Sequence, residues 1–328
     1  MDLTLFGAAI VAASPPLIFA VLGETIAERA GVINLSLDGL ILLSAMAAFA
    51  AARASNNLVA GVATALAVGA CAGLIVALAS LTLRQNQVAA GFVLTLLCQN
   101  TAYVLGNPIA HVPGPQVAYA PIPVLSAWPV VGPLLFSHNA MVYASILAVA
   151  AVWWYLTRTR AGLALRGLGE RPAAAFARGV DVTRLRYLYA LVGGALVGLG
   201  GAASSLAVKP GWSRPYGIEG TGWIALAIVI FGNWNPVRAA AGAYGFVMLQ
   251  TLATTLQSTL PRVPTQVFPT LPFPLMILAL LLVTLGNAEV VQRALRRLPL
   301  GARHGVTRLL RTLQASPPAA LGVPFERE

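Results

Sequence analysis

Nine stretches of this chain are apolar over about the length a helix needs to cross a bilayer, and they follow one another with little between them. They cover residues 3–22, 35–52, 58–83, 88–106, 139–157, 187–208, 221–234, 237–258 and 270–285. About 20 such residues span the hydrocarbon core. Inside that core no water is available to backbone amides, so only helices and closed barrels survive there. Composition agrees: 58% of residues are hydrophobic and 9% charged, with mean hydropathy +0.79. Soluble domains carry roughly 25% charged residues. A soluble enzyme, a disordered tail and a secreted disulfide scaffold are excluded. The 31 Gly and 22 Pro fit membrane helices, which tolerate both. The expected fold class is an all-α, polytopic membrane protein with about 8–10 transmembrane helices.

Two places leave that number open. Segment 221–234 is short and ends in Gly232, Asn233, Trp234, Asn235 and Pro236, a turn signal. It reads either as a full span or as half of a broken helix. The stretch 23–34 holds Glu24, Glu28 and Arg29 and reads as a loop or a partly re-entrant joint. Gly69 and Gly73 in one segment echo Gly194 and Gly198 in another, and those two segments run in opposite directions, as inverted repeats do. Close helix packing through small residues is the simpler account.

The net charge of +11 is segregated with topology. Seven Arg lie between Arg158 and Arg186, and seven more between Arg293 and Arg327, against three acids. The stretch 107–139 has no charge at all. Arg-rich loops stay on the cytoplasmic face, so the basicity reports orientation, with no nucleic-acid partner implied. The chain divides into a transmembrane domain, 1–288, with a cytoplasmic loop at about 158–186, and an Arg-rich cytoplasmic tail, 289–328. The start, Met1-Asp2 without a basic region, is not that of a cleaved signal peptide.

Much chemistry is absent. Lys209, the single lysine, precedes Pro210, so no phosphate-binding P-loop exists and the chain has no ATPase site of its own. Three scattered histidines offer no metal cluster, and Cys71 and Cys98 read as small buried hydrophobes. Three polar islands remain. Asn34, Ser36 and Asp38 open the second segment, and an intramembrane acid is a functional candidate by default. Asp38 also suits the start of a helix, although its polar neighbours favour a cavity-lining place. Asn86 and Gln87 open the fourth segment, where they read as helix caps or as solute ligands, and Asn100 lies deeper in it. Finally, Glu170, Arg171, Pro172, Ala174, Phe176, Arg178 and Gly179 outline a short surface helix: Pro172 at its first position, a basic Arg178 at its end, Gly179 to terminate it. Alanines around one exposed Phe176 suit docking to a cytoplasmic partner.

The run GETIAERAGVINLSLDG, from Gly23 to Gly39, resembles the signature of ABC importer permeases for nucleosides and simple sugars, with ribose and branched-chain amino-acid permeases as more distant relatives. The passages opening at Arg84, Gly167 and Gly222, and the tail from Ala320 to Phe325, agree with that family in order. The chain is most similar to the second permease of nucleoside systems. It departs where Asp38 replaces a usual Glu, Trp223 a usual Phe and Asn233 a usual Arg. The resemblance implies a bacterial inner-membrane pore half that lines the solute path with residues such as Trp223. It also implies a second permease, a cytoplasmic ABC ATPase (often a fused tandem) that carries ATP and magnesium, and an extracytoplasmic substrate-binding protein. Coupling to the ATPase would run through the Glu170–Gly179 stretch. A rival of another class, a stand-alone ion-coupled carrier, would centre on Asp38.

Overall fold

The computed structural model describes residues 3–259, 270, 274, 277, 317–323 and 325. The first apolar stretch is two helices, α1 (Leu3–Ala13) and α2 (Pro15–Arg29), which meet at 47°. The break is local chemistry. Pro15 and Pro16 start α2 where a missing N–H costs nothing, and the Ser14 hydroxyl donates to the Ile10 carbonyl at 2.6 Å. α2 continues to Arg29, so 23–29 are helix and the expected joint shrinks to 30–36. Sequence reading placed a loop there because of Glu24 and Glu28. Both are buried, and other segments supply their donors: Asn34 N–H to Glu24 at 3.1 Å and the Trp234 indole to Glu28.

The following helices are α3 (Leu37–Ser55), α4 (Leu58–Ala77), α5 (Gln87–Gly106) and α6 (Ala140–Arg158). A π-helical turn, Leu78–Thr82, extends α4. Three of these helices begin on an asparagine cap. Asn57 accepts from Val59 N–H, Asn86 from Val88 and Ala89, and Asn139 from Met141 and Val142, at 2.8–3.2 Å. Each cap satisfies amides that the first turn leaves orphaned. Then come α7 (Arg160–Glu170), α8 (Pro172–Ala177), α9 (Val182–Ala203), α10 (Thr221–Phe231) and α11 (Pro236–Thr259).

α9 is the central post, packed by α2, α3 and α4. A β-carbon added to Gly69 would stand 2.2 Å from the Gly194 carbonyl, and one on Gly198 2.2 Å from that of Ala65. The paired glycines of the sequence are therefore the contact between α4 and α9, backbone against backbone. This is packing of the small-residue kind. Gly193 meets Gly23 of α2 and Gly201 meets Ile41 of α3 in the same manner.

Among the described residues six helices are long and apolar enough to cross a membrane, the bent α1–α2 pair is a seventh, and α10 is an eighth but short apolar helix. The protein is a polytopic helical membrane protein. Segment 270–285 lies outside the described residues except for 270, 274 and 277. A second expectation fails: Cys71 is exposed on α4, whereas Cys98 is buried. An apolar flank of a membrane helix faces lipid as readily as core, so hydrophobicity did not distinguish them.

Candidate functional site

The first polar island is a compact knot below α3. The Asn34 side chain accepts from the Ser36 N–H at 3.0 Å and from its hydroxyl, fixing the turn that starts α3. Gln87, at the foot of α5, accepts from Ile33 N–H at 2.8 Å. Asn34, Ser36, Asp38 and Gln87 are all buried. Asp38 sits in the first turn of α3, and its Oδ1 accepts from Gly222 N–H of α10 at 3.0 Å. One carboxylate thus stands at the positive ends of two helices, which favours an acid there. The approach is close: a β-carbon on Gly222 would lie 2.2 Å from the Asp38 amide nitrogen.

α10 is eleven residues long, roughly 17 Å at 1.5 Å per residue, and cannot cross a core of about 30 Å. It is half a helix. The non-helical stretch before it descends along α5. Gly106 of α5 lies against the Trp212 indole, Tyr103 donates to Glu219, and Phe92 meets Trp223 at 6.2 Å between ring centroids. From Gly106 to Phe92 is about 21 Å of helix. Irregular backbone at membrane depth is tolerated where it is buried in protein or lines a cavity. This chain orders it with its own polar groups. Glu219 accepts from Tyr103, from Tyr216 N–H at 2.8 Å and from Gly217 N–H at 2.6 Å. Lys209 donates to the Tyr216 carbonyl and lies over its ring, and Arg214 lies 4.8 Å over the ring of Tyr103. The Tyr216 hydroxyl donates to the Lys209 carbonyl at 2.6 Å.

Sequence reasoning missed this second polar group. Its signal was available: Lys209, Arg214 and Glu219 interleaved with Trp212 and Tyr216 between two apolar segments. The remaining expected site residues are dispersed. Asn86 is exposed and caps α5; Asn100 is exposed and donates to the Leu96 carbonyl at 2.8 Å. Trp223 is exposed at the start of α10, on the same side of the molecule as Phe92.

The Arg-rich loop forms two helices at a corner. Thr159 caps α7 by accepting from Gly162 N–H at 2.9 Å, and Leu165 and Leu168 bury its inner face. Glu170 ends α7, Arg171 forms the corner, and Pro172 starts α8. Ala174 lies inside α8, Arg178 follows it, and Gly179 ends it at φ +83°. Phe176 is partly exposed, with its ring 5.6 Å from that of Phe325 in the tail.

Half-helices that begin inside a membrane bundle recur in transport proteins. A family profile described as branched-chain amino acid transport system / permease component matches residues 7–284, from within α1 to beyond α11. The chain belongs to this permease family. Within it, the chain is 36% identical over 257 residues to TsgC13, a proposed glucose ABC transporter permease of Haloferax volcanii, covering 76% of this chain and 77% of that one. It is 33% identical over 288 residues to the guanosine ABC transporter permease NupQ of Bacillus subtilis, covering 81% and 87%. It is 31% identical over 252 residues to the nucleoside ABC transporter permease NupC of Lactococcus lactis, covering 73% and 79%. No solved structure matches this permease.

Proposed function

We propose that this permease is the membrane-spanning subunit of an ATP-driven ABC importer for nucleosides, forming half of the pore beside a second permease. The observation that carries the reading is the half-helix α10, whose start meets Asp38 and places Trp223 beside Phe92 on α5. Aromatic faces offer stacking to a planar base, and neutral amides such as Asn100 offer hydrogen bonds to hydroxyls. The guanosine and nucleoside permeases among the relatives support that cargo. The relative named for glucose supports a second reading, a simple sugar, which uses the same stacking and hydroxyl contacts.

In this reading the Arg-rich end is cytoplasmic, in an inner membrane, with the tail on the same side. The docking of tail residue Phe325 beside Phe176 supports that placement. Energy comes from a separate ABC ATPase, binding ATP and magnesium, that engages the Glu170–Gly179 corner; this chain itself holds no cofactor and hydrolyses nothing. A substrate-binding protein delivers solute at the far face. ATP binding drives the switch only through different affinities for two states of the pore.

The test is purification of the tagged chain in mild detergent, then uptake of labelled guanosine and glucose by the reconstituted complex with its binding protein. An ATPase and a second permease should co-purify, and guanosine should enter only with ATP. Glucose uptake instead moves the cargo to sugars. A lone chain that transports on an ion gradient overturns the reading and transfers the work to Asp38.

A further inference from the structure

Arg186, in the second turn of α9, has no accessible surface at all. Its guanidinium donates to backbone carbonyls from two distant places. Nε reaches Ala30 in the α2–α3 joint at 3.1 Å, Nη1 reaches Val323 at 2.8 Å and Nη2 reaches Ala320 at 3.5 Å. The last two belong to the tail. The tail itself is stitched on both sides. Ala320 N–H donates to Gly169 at the end of α7 at 2.7 Å, and Gly322 N–H donates to Gly31 in the joint at 3.1 Å. Leu321 and Phe325 add apolar contact, Phe325 against Phe176 of α8. Gly31 and Gly322 both have positive φ, +89° and +74°, so the two backbones meet where only glycine is unstrained.

The joint in turn is tied to the pore elements. Ile33 N–H donates to Gln87 of α5, Asn34 holds the turn into α3, and Asp38 holds α10. The corner α7–α8 touches this series directly, where Gly169 lies against the Arg29 carbonyl at the end of α2, and again through the tail and Arg186. We propose that tail residues 317–323, with Phe325, are a strap, pinned by Arg186, that transmits movement of the α7–α8 corner to the α2–α3 joint; Arg186 is a positioning residue for transport. A guanidinium suits the task because its planar fork serves several carbonyls at once, which a lysine ammonium cannot do in the same geometry. This inference rests on the ATPase-coupled reading above.

The experiment compares wild type with Arg186→Lys and, separately, Gly322→Val, in the full chain with its partner subunits. Gly322→Val loosens the strap from its own side, because a side chain at that φ is strained and meets Ile33. Three quantities are read: complex recovered, ATP hydrolysed and solute moved. The expected result for both variants is complex within two-fold of wild type and at least a ten-fold fall in solute moved per ATP hydrolysed. A merely structural role would lower the recovered complex and leave that ratio unchanged. An unchanged ratio in the recovered complex overturns the proposal. If Arg186→Lys is not recovered, Gly322→Val decides, and loss of both overturns it in favour of a folding role. Wild-type complex without ATP-driven uptake counts against the functional reading itself, not against the strap.

Discussion

The α4–α9 seam and the α3–α10 junction are both places where two backbones nearly touch, yet they are built from opposite materials. At the seam, Gly69 and Gly73 meet Gly194 and Gly198 with no polar side chain between them. At the junction, a buried carboxylate on one helix receives the Gly222 N–H from the first turn of another. The seam joins complete helices whose amides are already paired, so dispersion and close fit suffice. The junction joins a helix that starts inside the protein, and its orphan amides need a partner from elsewhere in the chain. Closeness alone therefore says little about role. A dry contact fixes two elements, whereas a cap satisfies the amides of a helix that starts inside the protein.

Substitutions test that contrast. The largest effect is expected at the seam. Gly194→Leu drives a side chain into the Gly69 carbonyl, 2.3 Å from the first added carbon, and should destabilise the fold by at least about 3 kcal/mol. The measurement is recovery of monodisperse protein in detergent, and near wild-type recovery would show that the seam is not a rigid contact. Next comes the surface corner. Ala175 N–H bonds to the Arg171 carbonyl at 3.1 Å, so Ala175→Pro removes a bond that α8 uses. ATP-dependent uptake should fall more than ten-fold while membrane levels stay within two-fold; retained uptake would show that α8 is not the coupling element.

At the junction the effect on stability is smaller. Asp38→Ala removes the cap of α10 and should lower stability by about 1–2 kcal/mol, whereas Asp38→Asn, which keeps an acceptor oxygen, should lose less than half of that. Thermal unfolding of the two variants decides it, and equal losses would mean that charge matters more than the hydrogen bond. The smallest effect belongs to Glu219. Glu219→Gln keeps an acceptor oxygen for Tyr103 and for the Tyr216 amide. Wild type should exceed it by no more than about 2 °C in unfolding temperature. A much larger difference would show that the charge, and not the acceptor, orders the loop.

Several elements were legible in the order of residues. Segments 35–52, 58–83, 88–106, 139–157, 187–208 and 237–258 correspond to α3, α4, α5, α6, α9 and α11, because hydrophobic length is a local property. Pro172 at the start of α8 and left-handed Gly179 after it were local as well. The continuation of α2 through Glu24 and Glu28 was not. Two carboxylates argue against a membrane helix until Asn34 and Trp234, 10 and 206 residues away from their partners, appear as donors. The candidate site divides likewise. Asp38, Asn34, Ser36 and Gln87 form one buried group with the joint, whereas Asn86 and Asn100 stand apart on the surface of α5. Residue type marks which side chains want partners, but it does not say whether those partners lie within the same turn.

By itself, then, the sequence determined that this is a helical membrane protein, where most of its helices lie, and which permease family it belongs to, because these follow from hydrophobic length and from motifs contiguous in the chain. Only the tertiary structure decided that paired glycines are a seam, that α10 begins inside the protein on Asp38, that Glu219 organises the descending loop, and that Arg186 holds the tail. Each of those is a bond between distant segments, and a hydrogen bond of 3 Å leaves no trace in sequence spacing.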